Sequence, residues 1–372
     1  MAKNRDYALA AKSATARIPA PDLPYRPRDP RRYHPAIALI GCGGITSYHL
    51  RAYKRARYNV VALCNPTESK ACARQKEFYP KAAVYTDYHE VLKRDDIEVV
   101  DIATHPAKRV QIITDALNAG KHVLSQKPFV TDLDVGRRLV DLADRKNRKL
   151  AVNQNGRWAP HYSWIRHAIG RGVIGQPFAA HLAVHWDHNW IKGTPFERIP
   201  SLILSDFGVH WFDILCAFMG DQKPTRVFAS RARSASQKVV PPLLSQVLIE
   251  YESAQATLVF DADVRQGKSD DTYVAGPRGT LRSTGPSLEK QKVILSTSRG
   301  QASPVLKGSW FRDGFHGTMA ELLLAVEERR EPSNNARDNL NSLALCFAAV
   351  ASSDSGKPQV PGTIRRLPAM QS

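Results

Sequence analysis

A glycine-rich turn between an apolar run and a helix constrains the fold of this chain more than any other stretch. The apolar run covers residues 36–40 (AIALI), and Gly41, Gly43 and Gly44 follow it closely. A short continuous apolar run is typical of a buried parallel strand. When such a strand ends in Gly-x-Gly and continues as a helix, the first glycine permits a tight turn and the second lets a pyrophosphate approach the backbone. The pattern therefore predicts a dinucleotide-binding turn.

The helix after this turn is predicted to begin near Thr46, which occupies the position of the third glycine. Threonine is small enough for the helix and the strand to pack closely. The first N–H groups of the helix and the positive end of its dipole would then point at the bound pyrophosphate. Glycine turns between a strand and a helix also occur for purely structural reasons, so this interpretation depends on the elements that follow.

Behind the turn, predicted strands and helices alternate as far as residue 153. The strands cover residues 58–64, 84–85, 98–103, 121–124 and 149–153, and the helices cover residues 68–79, 87–94, 109–119 and 132–146. This alternation predicts an α/β Rossmann fold, a doubly wound parallel sheet whose ligand lies at the C-terminal ends of the strands. The predicted cofactor contacts near those ends are Gly41, Gly43, Gly44, Ile45, Asn65, Thr104, His105, Gln126 and Lys127.

After residue 153, strands follow one another without regular intervening helices. They cover residues 178–186, 245–251, 256–260, 272–275 and 293–295, and two helices at 314–330 and 336–351 come last. Consecutive strands predict a large, mostly antiparallel sheet in a second, α+β domain. We therefore divide the chain into a Pro/Arg-rich N-terminal arm (1–35), a dinucleotide-binding domain (36–155) and an α+β domain (156–372).

The N-terminal arm is too rich in proline and arginine to form a core. Six prolines lie between residues 19 and 35, and arginines alternate with them. Such a segment should run extended, near the polyproline II conformation. Two interpretations fit it equally well: a disordered tail, and an arm in which residues 19–35 lie across a neighbouring subunit.

Composition excludes several classes of protein. The chain has 372 residues, a formal net charge of +18 and five scattered cysteines without a CxxC pair. These cysteines fit a reducing compartment and argue against a disulfide framework and a zinc site. No Lys/Arg stripe is interleaved with aromatic residues, so we expect no nucleic-acid partner. No apolar run is long enough to span a membrane and none resembles a signal peptide, which favours a cytoplasmic enzyme without a membrane partner.

Four stretches occur in an order and at a spacing that identify a family. They are residues 40–44 (IGCGG), 101–106 (DIATHP), 119–128 (AGKHVLSQKP) and 206–213 (DFGVHWFD). Together they resemble the Gfo/Idh/MocA family, which includes glucose–fructose oxidoreductase and inositol dehydrogenase. The resemblance implies a Rossmann domain and an open-faced antiparallel sheet that binds substrate and forms oligomers. It also implies NAD(P)-linked hydride transfer, usually on a sugar, a polyol or a derivative.

The chain departs from the family pattern at three positions. Gln126 replaces the glutamate of the family's Glu-Lys-Pro, whereas Lys127 is kept. Asn65 replaces the acidic residue that usually ends the second strand, and Arg109 replaces the histidine that usually follows Thr-Pro. Gln126 and Asn65 are among the predicted cofactor contacts. A carboxylate at the second strand repels a 2′-phosphate, so its loss leaves NADP(H) open as an alternative to the predicted NAD(H).

Lys127, Asp206 and His210 are the predicted catalytic residues. Lys127 lies between a buried strand and Pro128, which restricts its backbone, and a lysine held there can bond a substrate hydroxyl or relay a proton. Asp206 and His210 stand four residues apart in an apolar segment (202–219) predicted to be helical, so both lie on one face. Hydride transfer from an alcohol requires a base for the hydroxyl proton, and a histidine beside a carboxylate suits that role. The resemblance outweighs the alternative of a capping aspartate and a packed histidine, whereas Asp213 is expected to be structural.

Aromatic and polar side chains cluster at the end of the first strand of the second domain. Aromatic faces can pack on the C–H face of a sugar, while imidazole and carboxylate groups bond its hydroxyls. The predicted substrate-binding residues are His185, Asp187, His188 and Trp190, together with Arg157 and Trp158. For Arg157 and Trp158 a network at the domain junction is the alternative. His185, Asp187 and His188 lack a strict metal-ligand spacing, so we expect no metal.

The leading hypothesis is an NAD(P)-dependent oxidoreductase acting on a secondary alcohol of a sugar, polyol or glycoside. One alternative is a redox-neutral glycoside lyase or hydrolase that oxidises its substrate transiently with recycled NAD. Another is a non-catalytic sensor that binds a dinucleotide, against which the three predicted catalytic residues argue. We expect a homodimer or homotetramer, because an edge-rich antiparallel sheet would otherwise leave an apolar face exposed.

Overall fold

The computed structural model of the chain describes residues 16–367. These residues form two β-sheets, one with six strands and one with eight, and helices cover and connect them. The combination of a parallel and a mostly antiparallel sheet confirms the predicted fold class.

The six-stranded sheet is the predicted Rossmann sheet. Its strands are β1 Ala36–Ile40, β2 Asn59–Cys64, β3 Ala83–Tyr85, β4 Ile97–Ile102, β5 His122–Ser125 and β6 Leu150–Val152. Its helices are α1 Thr46–Ala56, α2 Glu68–Phe78, α3 Tyr88–Leu92, α4 Pro106–Asn118 and α5 Leu133–Arg145. Neighbouring strands are all parallel, in the order β3-β2-β1-β4-β5-β6. The winding reverses between β1 and β4, and a crevice for a ligand forms at the C-terminal ends of strands at such a point.

The eight-stranded sheet follows, and its strands are β7 Ala179–His185, β8 Pro224–Ala232, β9 Leu244–Tyr251, β10 Gln255–Asp261, β11 Ser269–Gly276, β12 Gly279–Ser287, β13 Lys290–Thr297 and β14 Gly300–Ala302. The strand order is β14-β13-β12-β11-β7-β10-β9-β8, and only the β7–β10 pair is parallel. Along β7 the even-numbered residues 180–184 are buried, and the odd-numbered residues face the other side. We call that other side the open face.

Helices of the second half cover the buried side of this sheet and reach the Rossmann sheet. They are α6 Pro160–Gly170, α7 Val209–Met219, α8 Trp310–Glu327 and α9 Ala336–Ser355. Phe315 of α8 packs against His49 of α1 with 4.6 Å between ring centroids. Helix α9 contacts α5, α7 and β8, so it touches both halves of the chain. Within residues 16–367, no helix is both long and apolar enough to cross a membrane.

Three strands and one helix of the second half were not predicted. Strand β12 contains two glycines and a proline, and β14 has only three residues, so neither has the composition of a strand. Strand β8 has few buried residues because it forms one edge of the sheet. Helix α6 is buried on most of its surface, which removes the amphipathic period by which helices are predicted.

The described part of the N-terminal arm packs against its own chain. The N–H of Ile18 donates to the carbonyl oxygen of Gln301 at 2.9 Å, beside β14. The Glu327 carboxylate accepts from the N–H groups of residues 31, 32 and 33 at 3.0, 2.6 and 2.8 Å. Leu23 is buried in the core. The prediction of a disordered tail is therefore wrong for residues 19–35, whereas a contact of this segment with a neighbouring subunit stays a prediction, and residues 1–15 lie outside the described part.

Candidate active site

The glycine-rich turn after β1 is closed on its inner side and open on its outer side. Gly41 has a φ of +101°, and a Cβ there would lie 2.7 Å from the carbonyl oxygen of Ala103. A Cβ at Gly43 or Gly44 would meet nothing within 4 Å. Thr46 is buried, and its hydroxyl donates to the Gly43 carbonyl oxygen at 2.6 Å. The backbone is thus fixed from beneath while its outer face is free for the diphosphate of a dinucleotide, which fits the predicted cofactor.

The end of β2 is neutral, and its side chain supports the glycine turn. The Asn65 side chain accepts from the N–H of Cys42 at 3.1 Å and donates to the carbonyl oxygen of Thr67 at 3.0 Å. Arg74 of α2 donates to the carbonyl oxygen of Gly43 at 3.2 Å. Sequence reasoning missed Arg74, because only the folding of α2 brings a residue nine positions beyond Asn65 back to the turn.

A buried polar network lies beneath the turn. Asp101 Oδ2 accepts from the Tyr53 hydroxyl and faces Nδ1 of His49, both at 2.7 Å. On the other side of the ring, Nε2 faces the amide nitrogens of Gln126 at 3.1 Å and Asn153 at 3.2 Å. Since both amides donate, Nε2 accepts, and the ring proton lies on Nδ1 toward Asp101. The network therefore gives the Gln126 side chain a fixed orientation.

Two side chains hold the backbone around Lys127. The N–H of Lys127 donates to the side-chain oxygen of Gln126 at 2.7 Å. The buried guanidinium of Arg109 donates to the carbonyl oxygen of Gln126 at 2.6 Å and also to those of Pro128 and Thr104. Burial lowers the pKa of Arg109 to about 10. Two of the three departures from the family pattern, at positions 109 and 126, thus meet at the residues that flank Lys127.

Lys127 joins two histidines and an aspartate in one cluster. Its ammonium lies 3.1 Å from Oδ2 of Asp206 and 3.1 Å from the carbonyl oxygen of the same residue. Burial, with a smaller contribution from the Lys127 charge, lowers the pKa of His210 well below its usual range. Burial also lowers the pKa of His188 to about 4, although the Asp206 charge opposes that shift. The cluster therefore combines a cationic donor with two imidazoles in their neutral, proton-accepting form.

The segment that carries Asp206 and His210 is not the regular helix that was predicted. Residues Ile203–Phe207 form a π-helix, and α7 begins at Val209. The N–H of Gly208 donates to the carbonyl oxygen of Ile203 at 2.6 Å, five residues earlier. The prediction of a regular α-helix from Asp206 to His210 is therefore wrong because of this π-turn, although both side chains still lie at the cluster around Lys127.

Aromatic rings extend from the cluster toward the surface, and we call them the aromatic wall. Phe207 follows Asp206, and its ring centroid lies 4.4 Å from Trp186 and 5.0 Å from His188. His188 lies 4.9 Å from Trp190, which lies 5.9 Å from Phe196. Trp190 is 59% exposed. His188 and Trp190 are thus brought together with Asp206, and Phe207, which the sequence analysis did not single out, connects them.

A second aromatic pair lies beside the glycine turn. Tyr48, in the first turn of α1, and Phe311, in the first turn of α8, are both partly exposed, with 4.8 Å between ring centroids. Trp310, the neighbour of Phe311, lies 5.7 Å from His210. Sequence reasoning missed this pair because 263 residues separate its members. The pair gives the cluster an apolar boundary on the side of the Rossmann sheet.

Arg157 and Trp158 do not lie at the cluster, which corrects their predicted role in substrate binding. Arg157 Nε donates to Asp213 Oδ2 at 2.5 Å, Nη2 donates to the other carboxylate oxygen at 2.8 Å, and Nη1 donates to the carbonyl oxygen of Ser333. This buried ion pair agrees with the structural role expected of Asp213. Trp158 is buried beneath α8. Its ring packs so closely on this helix that a Cβ at Gly317 would lie 2.1 Å from it. Arg157 and Trp158 therefore belong to a network at the domain junction, which was the alternative interpretation of both residues.

His185 and Asp187 also differ from their predicted role. His185 lies on the open face of the eight-stranded sheet, where its Nδ1 is 2.9 Å from the Asp261 carboxylate of β10. Asp187 accepts from the backbone and side-chain N–H groups of Asn189 at 3.0 and 2.7 Å. The alternation of side chains along a strand puts His185 on the opposite face from Val184, away from the helices. Of the four residues predicted at this strand end, the structure therefore brings His188 and Trp190 into the aromatic wall.

The other predicted cofactor contacts lie at the C-terminal ends of β1 and β4. Ile45 is exposed beside the glycine turn, and His105 is exposed immediately before α4. The carbonyl oxygen of Thr104 accepts from Arg109. Direct contact of these residues with a cofactor stays a prediction. Across residues 16–367, no three His, Cys, Asp or Glu side chains converge as metal ligands.

Family models match most of both sheets. A model described as "Oxidoreductase family, NAD-binding Rossmann fold" matches residues 36–154. A model of the GFO/IDH/MocA C-terminal domain matches residues 162–282. NAD is therefore the cofactor of the Rossmann half, as predicted.

Curated relatives and solved structures agree with this match. A D-apiose dehydrogenase of Paraburkholderia graminis is 28% identical over 336 residues, covering 86% of this chain and 88% of the relative. An inositol 2-dehydrogenase of Salmonella typhimurium is 29% identical over 55% of this chain and 61% of the relative. An Agrobacterium radiobacter oxidoreductase crystallised with NAD+, L-tartaric acid and magnesium has the same fold, with a TM-score of 0.80 and 20% identity over 88% of this chain and 99% of that one. An aldose–aldose oxidoreductase of Caulobacter crescentus gives a TM-score of 0.74 at 16% identity, with 88% and 99% coverage.

Proposed function

Since the chain belongs to the Gfo/Idh/MocA family of NAD-binding oxidoreductases, we propose that it transfers a hydride between NAD and a secondary alcohol of a sugar, a polyol or a glycoside. The observation that supports this most is a cluster close to the C-terminal ends of β1, β4 and β5. Its members are Lys127, Asp206, His210 and His188. The cluster offers both a hydrogen-bond donor and a proton acceptor to one substrate oxygen.

Bound NAD supplies the acceptor for the hydride that leaves the carbinol carbon. His210 takes the hydroxyl proton of the same alcohol, so that a C–H and an O–H bond break and a carbonyl group forms. Because burial lowers its pKa, His210 is unprotonated at neutral pH and ready to accept that proton. The Lys127 ammonium donates a hydrogen bond to the substrate oxygen and stabilises the negative charge that develops there. In the reverse direction His210 returns this proton to the carbonyl oxygen, while Lys127 donates the same hydrogen bond.

The aromatic wall supports a carbohydrate as substrate. Flat rings such as those of Trp190 and Phe207 can cover the C–H face of a sugar, and the His188 imidazole can bond one of its hydroxyls. In the described part of the chain, Nδ1 of His188 is buried without a hydrogen-bond partner, which leaves it available for such a bond. The relatives named for D-apiose and inositol act on a sugar and a polyol, which agrees with this choice.

The remaining roles follow from the same proposal. Gly41, Gly43 and Gly44 receive the diphosphate of NAD, and Ile45, Thr104 and His105 border it. Residues 36–155 form the dinucleotide-binding domain and residues 156–372 form the domain for substrate and self-association.

A redox-neutral reaction is the second candidate, and His188 favours it. A transient oxidation acidifies the C–H bond beside the new carbonyl, and elimination of an aglycone then requires a second base near that carbon. His188 lies beside Asp206 and Lys127, and its lowered pKa keeps it unprotonated. Two other residues near this strand end could also supply a base, but His185 and Asp187 have other partners, which leaves His188 for this role.

One assay separates the two candidates. The full-length protein is mixed with a panel of free sugars, polyols and glycosides, once with excess NAD+ and once with a trace of it. Reduced nicotinamide that accumulates in proportion to excess cofactor supports the dehydrogenase. Release of aglycone with only trace cofactor, and without accumulation of reduced nicotinamide, contradicts it and establishes the redox-neutral reaction.

A further inference from the structure

The end of β2 supplies no charge to the dinucleotide site. In dinucleotide-binding folds an acidic side chain at this position bonds the ribose hydroxyls of NAD and repels the 2′-phosphate of NADP. Asn65 stands there instead, and the backbone uses both ends of its amide. Its Oδ1 accepts from the N–H of Cys42 at 3.1 Å, and its Nδ2 donates to the carbonyl oxygen of Thr67 at 3.0 Å. The charge that distinguishes the two cofactors must therefore come from other side chains near the glycine turn.

Arg74 brings a cation to this turn. It lies in the second turn of α2, and its Nη2 donates to the carbonyl oxygen of Gly43 at 3.2 Å. The side chain is only 21% exposed, and in the described part of the chain its Nε is buried without a hydrogen-bond partner. In NADP-binding proteins an arginine near the end of β2 accommodates the 2′-phosphate. Without a counterion, Arg74 would thus favour NADP(H).

The carboxylate of Glu77 faces this cation and a second one. Its Oε2 accepts from Nη1 of Arg74 at 3.2 Å, and its Oε1 lies 3.9 Å from Nη2 of Arg51 in α1. Glu77 is 47% exposed, and ion pairs at such exposed positions add little to stability. Their effect on a ligand is larger, because Glu77 places a negative charge beside the guanidinium that would otherwise meet a 2′-phosphate.

We propose that Glu77 selects NAD(H) over NADP(H) by neutralising Arg74. The carboxylate occupies the guanidinium that a 2′-phosphate would need and also repels that phosphate, whereas the ribose hydroxyls of NAD carry no charge. Glu77 thus supplies from α2 the negative charge that Asn65 does not supply from β2. The inference rests on the dinucleotide site of the proposed function and goes beyond it, because it names the residues that choose between the two cofactors.

Binding of both cofactors to the full-length protein tests this proposal without any need for turnover. Glu77→Gln keeps the shape of the side chain and removes its charge, so that Arg74 becomes free for the 2′-phosphate. We expect the Kd for NADP+ to fall about tenfold, the order expected for one hydrogen bond to a charged group, and the Kd for NAD+ to stay within about twofold of wild type. Isothermal titration calorimetry measures both values. An unchanged ratio of the two Kd values in a folded Glu77→Gln protein would overturn the proposal, as would a wild-type protein that binds NADP+ more tightly than NAD+.

Glu90→Gln is the matched control for this measurement. Glu90 of α3 is 53% exposed and pairs with Lys93, three residues later, at 2.6 Å. The substitution removes the same charge from the same half of the chain, so both Kd values should stay at the wild-type level. A fall in the Kd for NADP+ as large as in Glu77→Gln would mean that net charge alone controls binding, which contradicts a specific role for Glu77.

The double variant Glu77→Gln/Arg74→Gln identifies the group that Glu77 neutralises. If the gain in affinity for NADP+ comes from a freed Arg74, removal of this guanidinium should abolish most of the gain and restore the preference for NAD+. Retention of the full gain in the double variant would show that the 2′-phosphate binds elsewhere, and it would contradict the assigned pairing.

Ionic strength provides a readout that a merely structural change would not move. The gain of Glu77→Gln over wild type should shrink when NaCl is raised from about 50 mM to about 500 mM, because salt screens contacts between exposed charges. A gain of the same size at both concentrations would mean that the substitution alters the shape of the site, and the electrostatic role of Glu77 would fail.

The outcomes also separate this inference from the proposed function. If Lys127→Ala retains full turnover, the proposed function fails while the cofactor titrations stand. If Lys127→Ala is inactive but Glu77→Gln binds the two cofactors in the wild-type ratio, the proposed function stands and the selective role of Glu77 fails.

Discussion

At the scale of single residues, the cluster combines one cation, the Lys127 ammonium, with two neutral imidazoles, those of His210 and His188. The Lys127 ammonium is held by Asp206, and the same positive charge helps to keep protons off His210 and His188. A protonated imidazole beside an ammonium would place two like charges in a buried site, which burial makes unfavourable. We therefore expect both imidazoles to stay neutral over the neutral range.

Removal of either group should disable catalysis. We expect Lys127→Ala and His210→Ala each to lower kcat by about 10²–10⁴-fold, the contribution of a positioned acid–base group. Lys146→Ala and His89→Ala are matched controls, since both residues are exposed on the Rossmann half. Steady-state kinetics on variants with wild-type circular dichroism measure the effect. Near-normal kcat in both cluster variants would contradict the assigned roles.

The pH profile should reflect the lowered pKa of His210. An ordinary histidine has a pKa of 6.5, and protonation below that value would remove the base. Because the pKa of His210 is lowered, the base form persists as the pH falls. We therefore expect kcat/KM for alcohol oxidation to lose no activity to imidazole protonation between about pH 8 and pH 6. A steep acid limb centred near 6.5 would show that the buried imidazole titrates as if exposed.

Asn65 should influence the choice between NAD(H) and NADP(H). The wild-type protein should bind NAD(H) more tightly than NADP(H), and Asn65→Asp should widen the difference, because a carboxylate repels a 2′-phosphate. An increase of about tenfold in the affinity ratio corresponds to about 1.4 kcal/mol. Fluorescence titration with both cofactors measures it, and Asn65→Ser controls for the lost contact with Thr67. Tighter binding of NADP(H) to the wild-type protein would overturn the predicted preference.

At the scale of elements, β11 carries a buried acid on the inner side of the eight-stranded sheet. Burial raises the pKa of Asp270 to about 8, although the hydroxyl of Tyr162 at 3.3 Å partly opposes the shift. The folded state therefore holds this proton more tightly than the unfolded state, where the pKa is 3.8. The stability contributed by the bound proton is complete below pH 3.8 and is lost progressively as the pH rises through 8.

Asp270→Asn should remove this pH dependence. Asparagine has nearly the same shape and carries no charge, so we expect its thermal midpoint to exceed that of wild type by more at pH 8.5 than at pH 5, by several degrees. Asp271→Asn, on the opposite face of the same strand, is the matched control. Differential scanning fluorimetry at both pH values measures the difference. Equal midpoint changes at both pH values would show that Asp270 is ionised in the folded protein throughout.

The elements of the Rossmann half could be predicted from the sequence because their signals are local. A buried parallel strand such as β1 is a continuous apolar run, and glycines end or turn the segments between the strands. In the second half, β12 and the π-turn have no such local signal. Strand β12 exists because β11 and β13 pair with it, and the π-turn exists because tertiary packing accommodates five residues in its wider register.

Site residues could be predicted from the sequence where a local motif marks them. They could not be predicted where a partner far away along the chain determines the role of the side chain. Lys127, Asp206 and His210 were found from a motif, and the structure brings them to one cluster. Arg157 could not be excluded from the sequence, because its partner Asp213 lies 56 residues away. Similarly, nothing local reveals that Arg109 binds the backbone on both sides of Lys127.

The whole molecule presents the open face of its second sheet to its surroundings. Tyr273 of β11 is exposed there and stacks near His181 of β7, with half-buried Leu248 and Val259 on the neighbouring strands. We interpret this uncovered face, with its exposed tyrosine, as an interaction surface. We expect it to join identical subunits into a homodimer or homotetramer.

Light scattering on the full chain tests this assembly. Tyr273→Arg should lower the molar mass toward that of one chain, whereas Val305→Arg, an exposed site outside the strands, should leave it unchanged. A version that starts at Tyr33 should keep the wild-type mass and melt at a lower temperature, because the arm packs on its own chain. A monomeric wild-type protein would contradict the expected assembly.

The attachment of the arm to Glu327 also has a consequence for biosynthesis. Residues 31–33 leave the ribosome early, but the carboxylate that binds their N–H groups is translated 294–296 residues later. At about 5–20 residues per second, that interval is roughly 15–60 s. The Rossmann half can emerge and fold during this time, while residues 31–33 wait for the carboxylate that binds them. A segment that is synthesised before either sheet is therefore among the last to reach its place.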